Sequence, residues 1–305
     1  MSLELDALLD RRRLKRQLII WRVIAVLALT AAVVVAVGRV TGGFAFKRDH
    51  IARFAVSGII IQDSARDTAL AAIASDGSAK ALLLHVNSPG GTVVGGEDLY
   101  TALREVAEAK PVVAVLGTLA TSAGYMTAVA ADRIYAREGT ITGSIGVVFQ
   151  ATEFSELMQR LGIRAEAIKS GPLKAQPSPL EPMTEEARVA TRALVMDIHR
   201  FFVDLVAQRR GFDAGTAQGL ADGRVFTGRQ AVDTGLIDAI GGEDAAVAWL
   251  AEVHGLDPDL PVREVSVRSD DQLWRNLLSS LTGKTLYSEA LTLDGLVSLW
   301  HPQLN

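Results

Sequence analysis

Residues 81–92 read ALLLHVNSPGGT, and residues 112–131 read VVAVLGTLATSAGYMTAVAA. Each opens as an apolar run without polar alternation, the pattern of a strand buried in a sheet. Each run then breaks at a turn of small residues. The first turn is Asn87-Ser88-Pro89-Gly90-Gly91, and the second runs from Thr118 to Gly124 through Ser122. A helix is predicted after both. Residues 96–109 set Leu99, Leu103, Val106 and Ala107 at helical spacing, and residues 122–131 are almost all small. Strand, turn and helix repeated in this order predict an α/β fold with much parallel pairing.

Working outward, residues 51–61 (IARFAVSGIII) are rich in β-branched side chains and read as a strand. Short strands are also predicted over 134–136, 145–149 and 165–169. Helices are predicted over 67–75, after Glu153, and over 213–220, 228–234 and 243–253. A long helix from about 184 to 210 opens with Thr184-Glu185-Glu186, acids that the helix dipole favours in a first turn. The loop 170–182 is rich in Gly, Pro and Ser.

Before this body lies a segment of different character. Arg11, Arg12, Arg13, Lys15, Arg16 and Arg22 crowd together with no acid among them. Residues 23–38 (VIAVLALTAAVVVAVG) then carry no charge. A helix over 18–40 is long enough to cross about 30 Å of hydrocarbon, at about 1.5 Å per residue. Arg22 is near enough to its end to snorkel. The basic cluster puts residues 1–17 in the cytoplasm by the positive-inside rule and the body outside it. Two readings of 18–40 stand side by side. It is a retained anchor, or it is a signal cleaved near Ala36-Val37-Gly38. Residues 41–50 are a tether and residues 51–268 the main domain. Residues 269–305 form an amphipathic tail, with Trp274, Leu277, Leu278 and Leu281 at helical spacing and Leu291, Leu293, Leu296, Leu299 and Trp300 following, that packs on a neighbouring surface.

Composition excludes several classes of function. Among 305 residues, 49% are hydrophobic, too many for a disordered chain. Zero Cys excludes thiol catalysis, a disulfide framework and cysteine zinc sites. A net charge of −4 leaves no electrostatic footprint for nucleic acid. No HExxH, GxxxxGK[ST] or GxGxxG spacing occurs, so neither metal nor nucleotide cofactor is expected. Five His occur. His85 sits in a strand run as a satisfied core residue, and His50, His199, His254 and His301 lie in tether, helices and tail. What remains are the two small-residue turns. Adjacent backbone N–H groups at such turns hold a negatively charged oxygen. Read locally, Ser122 caps its helix and Gly90-Gly91 makes a turn.

Taken together, SPGG, TSAGYM, TITGSIGV, IKSGPLKAQPSP and ADGRVFTGRQAVDTGLID follow one another along the chain. In this order they resemble the SppA-type signal peptide peptidases, serine proteases of the ClpP/crotonase superfamily. The resemblance runs from about Phe54 to Asp244. It implies a fold of repeated β-β-α units after one transmembrane helix. It implies Ser122 as nucleophile, Lys174 as general base with Lys169 as competitor, and Ser144 as the serine that hydrogen-bonds the lysine. It implies an oxyanion hole from the N–H groups of Gly90 or Gly91 and of Ser122. An Asp often follows the lysine in the family, whereas here Lys174 is followed by Ala175. The resemblance further implies peptide substrates such as cleaved signal peptides, homo-oligomers in which neighbouring subunits can share a site, and a place in the bacterial inner membrane with the catalytic domain on the periplasmic side.

The chemistry asks for the same roles. A serine hydroxyl is a poor nucleophile without a base. A lysine of ordinary pKa, about 10.4, is neutral in only about one copy in 2500 at pH 7, so the base must be desolvated. Residues 168–179 hold no acid that would keep an ammonium charged. Two other readings are a SohB-like membrane peptidase of different substrate range and a non-catalytic crotonase-fold scaffold. Acyl-CoA chemistry, which the superfamily also supports, is disfavoured by the export segment.

Overall fold

A computed structural model describes residues 17–30, 33, 48–265, 267 and 296–299. The chain divides into two units, residues 1–48 and 49–305. In the first, residues 17–30 form an exposed helix, α1. Among the described residues no helix is long and apolar enough to cross a membrane. The rest of the expected 18–40 span, Val33 apart, lies outside the described residues. So do residues 1–16, most of the tether, and the tail except 296–299.

The second unit is built on one mixed sheet. Its leading elements are β1 (His50–Ile60), α2 (Ser64–Ser75), β2 (Ala79–Thr92), α3 (Val93–Ala109), β3 (Val112–Thr121), α4 (Ala123–Ala128) and β4 (Arg133–Ala136). Next come β5 (Ile141–Gly143), β6 (Val148–Phe149), α5 (Ser155–Arg160), α6 (Glu185–Arg210), α7 (Ala214–Leu220) and β7 (Val225–Thr227). The remainder are α8 (Gly228–Asp233), β8 (Ala239–Ile240), α9 (Glu243–His254), β9 (Val262–Glu264) and β10 (Leu296–Leu299). β1, β2, β3, β4 and β8 run parallel, as the strand–helix alternation predicts. β1 holds one edge of β2, and β3 holds the other as far as Ser88 opposite Ala120.

The apolar runs do not alternate because both faces of the sheet are covered. Leu82, Leu84 and Val86 point into a large core under α2, α3, α4 and α6. Ala81, Leu83, Val113 and Val115 point into a second core closed by Ala246 and Leu250 of α9. Each fully buried Leu contributes about 1.5–3 kcal/mol, so the two layers supply the main drive to fold.

Caps and pinned charges set the helix positions. The Thr184 side chain accepts from Ala187 N, and Gly211 ends α6 in the left-handed conformation at φ 67°. Arg210, in the last turn of α6, forks onto Asp238 at 3.0 and 3.1 Å, while Asp238 also accepts from Ile134 N at 2.7 Å. This pair fastens α6 to β4. Asp132 accepts from Val112 N at 3.0 Å, and Asp222 pairs with Arg224. All three acids are therefore structural. Arg224 holds the exposed Asp222 carboxyl down at about 2, mainly through its side-chain hydrogen bonds.

Two expectations need correction. Residues 165–169 form no strand. Residues 165–168 are exposed, and the segment has no neighbouring strand to pair with among the described residues. The strand expected over 145–149 shrinks to β6, because Ile145 turns into the core instead. Conversely, β5 was hidden by its length, three residues ending in glycine. Asp238→Ala leaves the largely buried Arg210 guanidinium without its carboxylate. We expect a loss of about 3–5 kcal/mol in urea unfolding, with an unchanged m-value.

Candidate active site

Strand register brings the two small-residue turns together. Ser88 lies opposite Ala120, and one residue further Thr121 lies opposite Gly143 of β5. Thr121 Oγ1 donates to Pro89 O at 3.0 Å and ties one turn to the other. Ser88 Oγ donates to Gly58 O at 2.6 Å and accepts from Gly90 N at 3.0 Å. The crowding dictates glycine. A Cβ on Gly91 would stand 1.8 Å from Ile60 O, and one on Gly124 would stand 2.9 Å from Ser88 O. Gly90, at φ 112°, needs the freedom that glycine alone has.

Ser122 occupies the bend between β3 and α4 and is 1% exposed. Its φ of 56° and ψ of −121° lie outside the regions open to L-residues at low cost. Such a conformation costs on the order of 1–3 kcal/mol and persists where the surroundings impose it. Its side chain makes no cap hydrogen bond to α4, so the local reading of a helix cap does not hold. The backbone holds the bend: Ser122 N donates to Gly143 O at 2.8 Å, and Met126 N donates to Ser122 O at 2.9 Å. Ser144 follows Gly143, also with positive φ, 52°, and its N–H donates to Arg224 O at 2.8 Å. Because Thr121 and Gly143 are paired, Ser122 and Ser144 leave adjacent strand ends side by side.

Both serines line a cleft of about 280 Å³ with Gly146, Val147, Val148, Val195, Met196 and His199. The last three come from α6, far along the chain, and the sequence reading missed them. Their spacing on one helical face was the available signal. His199 Nε2 lies 2.8 Å from Ala221 O, so Nε2 carries the proton and donates it. His85 is half-buried rather than core and meets Glu243 at 3.2 Å. The Tyr125 hydroxyl donates to Leu236 O at 2.7 Å, and burial pushes its pKa far up. It anchors α4 and does not titrate near neutrality.

The two lysines part company. Lys169 Nζ sits 2.5 Å from Glu181 Oε2, in a half-buried ion pair. Glu181 also accepts from Gln176 Nε2 at 2.9 Å. Lys174 closes an exposed turn, its N–H donating to Gly171 O at 3.1 Å, and Ala175 follows at φ 58°. Lys174 is not among the residues lining the Ser122 cleft. The chain therefore brings together Ser122, Ser144, Gly90 and Gly91, and Lys174 does not line their cleft. Exposed apolar side chains surround that outer segment: Leu161, Ile163, Leu173, Leu180 and Ile168, the last 99% exposed. Among the described residues no cluster of His, Cys, Asp and Glu could hold a metal ion.

A buried serine stands on a strained strand-to-helix bend beside glycines of the adjoining strand. Comparison with known proteins identifies the class. The Peptidase family S49 model matches residues 104–257, and the Clp protease model matches residues 55–151. The chain is 39% identical over 214 residues to "Putative protease slr0021" of Synechocystis sp., covering 70% of this chain and 77% of that protein. It is 37% identical over 180 residues to "Putative signal peptide peptidase SppA" of Enterococcus faecium, covering 58% of this chain and 52% of that one. Among solved structures, a mutant ClpP1 of Listeria monocytogenes aligns at 16% identity and TM-score 0.43, over 64% of this chain and 93% of that one. The chain belongs to peptidase family S49, in its SppA-type branch, and is a serine peptidase with an α/β, ClpP-like fold.

Ser122→Ala and Ser122→Gly both remove the hydroxyl, but only glycine tolerates the observed φ. We expect the glycine variant to be more stable than the alanine variant by about 1 kcal/mol in chemical denaturation, with both inactive.

Proposed function

We propose that the chain is a membrane-anchored endopeptidase with a Ser122–Lys174 dyad completed between protomers, acting on cleaved signal peptides or other membrane-derived peptides. The observation that carries the shared dyad is the placement of Lys174. It lies on an exposed, apolar-rimmed turn outside its own cleft. An amine in water is almost always charged and cannot act as a base. A second copy docked on the apolar residues 161–180 would strip that water away. The tie between Lys169 and Glu181 supports Lys174 rather than Lys169 as the base.

In the proposed cycle, neutral Lys174 of one protomer takes the hydroxyl proton of Ser122 of the next. Ser122 Oγ attacks the peptide carbonyl, and Ser144 orients the lysine. The oxyanion is met by N–H groups drawn from Gly90, Gly91 and Ser122. Those of Gly90 and Ser122 already have acceptors, Ser88 Oγ and Gly143 O, which they release or share as the charge develops. Protonated Lys174 then passes its proton to the leaving amine. Water, deprotonated by Lys174, splits the seryl ester and restores the hydroxyl.

Ser122→Ala and Lys174→Ala are each expected to lower peptide turnover about a thousandfold or more in a folded protein. Mixing the two inactive variants regenerates sites with Ser122 from one chain and Lys174 from the other. Recovered turnover in the mixture, and none in either parent, is the expected outcome. A mixture as inactive as its parents places both groups in one chain.

Support for anchoring comes from the uncharged run 23–38 behind its basic cluster. The proposed arrangement is a single pass through the bacterial inner membrane, with residues 1–17 cytoplasmic and the body periplasmic. The full chain is expected to stay with membranes through alkaline carbonate washing, and external protease is expected to reach the body in spheroplasts. Release by carbonate would instead mark 18–40 as a removed signal.

A further inference from the structure

Between the end of α5 at Arg160 and the start of α6 at Glu185, residues 161–184 contain no strand and no helix. A loop of that length in a compact domain is held by ties of its own or by the work it does. Its backbone ties are short. Lys174 N donates to Gly171 O at 3.1 Å and Gln176 N to Leu173 O at 3.3 Å, each reaching back three residues. Leu180 N donates to Ser178 Oγ at 3.2 Å. The long reach is made by one carboxylate oxygen. Glu181 Oε2 accepts from Lys169 Nζ at 2.5 Å and from Gln176 Nε2 at 2.9 Å. The first contact spans twelve residues and closes 169–181 into a ring. The second draws the ring in at Gln176. Lys174 lies on the arc between the two donors, five residues after Lys169 and two before Gln176.

The backbone beside Lys174 needs that closure. Ala175 is at φ 58°, where glycine, asparagine and aspartate are at ease and alanine is not. Burial does not hold the turn, since residues 172–175 are exposed. A strained turn keeps its shape only when its surroundings impose it. Here the half-buried ends of the ring do so. We propose that Glu181 is a positioning residue for the base: by gathering Lys169 and Gln176 on one oxygen, it fixes the turn that presents the Lys174 amine to Ser122. The proposal rests on the reading of Lys174 as general base. Glu181 does not line the Ser122 cleft, so it acts through where it puts the amine. Lys169 then has a duty of its own, separate from proton transfer. A reacting group misplaced by about 1 Å costs about a hundredfold in rate, and substrate held at the cleft does not feel the change.

The test is a kinetic cycle on the full chain with a fluorogenic peptide. Glu181→Ala and Lys169→Ala are each expected to lower kcat about tenfold to a hundredfold and to keep KM within about twofold. Lys169→Glu combined with Glu181→Lys restores the tie with its charges exchanged, and the Gln176 amide can turn to offer its oxygen to the new ammonium. This pair is expected to recover kcat to within about threefold of the unaltered chain. In a Lys174→Ala background, Glu181→Ala is expected to change the slow fluorophosphonate labelling of Ser122 by less than about twofold, because a residue that acts through the amine has nothing left to act on. Unchanged kcat in both single variants, with Lys174→Ala inactive, overturns the proposal and leaves the base reading intact. A loss that the exchanged pair does not recover, and that slows labelling equally without Lys174, overturns it in favour of a brace for the fold alone. Near-normal turnover in Lys174→Ala sinks the base reading itself, and the proposal with it.

Discussion

The pairing of Thr121 with Gly143, one step beyond the pairing of Ala120 with Ser88, governs the rest of the site. Side chains along a strand alternate in direction, so a slip of one residue would send the side chains of β3 into the wrong cores. With the register as it is, Ser122 and Ser144 emerge together and the glycine turn lies beside them. The register is secured by burial on two faces. Val112, Ala114 and Leu116 enter one core while Val113 and Val115 enter the other. Polar ties then lock the strand ends, through Thr121 to Pro89 O and Ser122 N to Gly143 O.

That rigidity permits the strain at Ser122. A residue held at φ 56° on a free loop would relax. Here Ala123 stands 3.0 Å from where a Cβ on Gly96 would be, and Tyr125 is hydrogen-bonded at full burial. The bend is over-determined from both sides. Small residues in the motif thus have two duties. They let α3, α4 and the Ser88 turn approach closely, and they place the Ser122 backbone in its bend without a clash.

How much of this was legible in the sequence follows from how local each feature is. The central strands were readable because burial on both faces writes an unbroken apolar run. The α6 start was readable from Thr184 and the acids after it. Residues 165–169 misled because Ala and Ile in a short window carry a strand pattern, whereas a strand also needs a partner edge. β5 and β10 depend on distant pairing and leave almost no local mark. The Ser122 turn stood out by its glycines, but its positive φ did not, since Ser is an unusual residue to find there. The proposed preference for Lys174 over Lys169 draws support from Glu181, two residues beyond the acid-free window that the sequence reading considered. The cleft wall of Val195, Met196 and His199 became visible only when α6 was folded back over the sheet.

The bare backbone at Gly90 and Gly91 has a consequence for diet. A chain lying along these residues is gripped through its amides, which are the same in every polypeptide, and meets no side chain there that could prefer one sequence over another. On the proposed function, discrimination falls to the small cleft that Ser122 lines and to the requirement that the victim be pliable enough to lie straight. On the proposed function, such an arrangement suits a scavenger of loose fragments and spares well-folded neighbours, whose own amides are already committed.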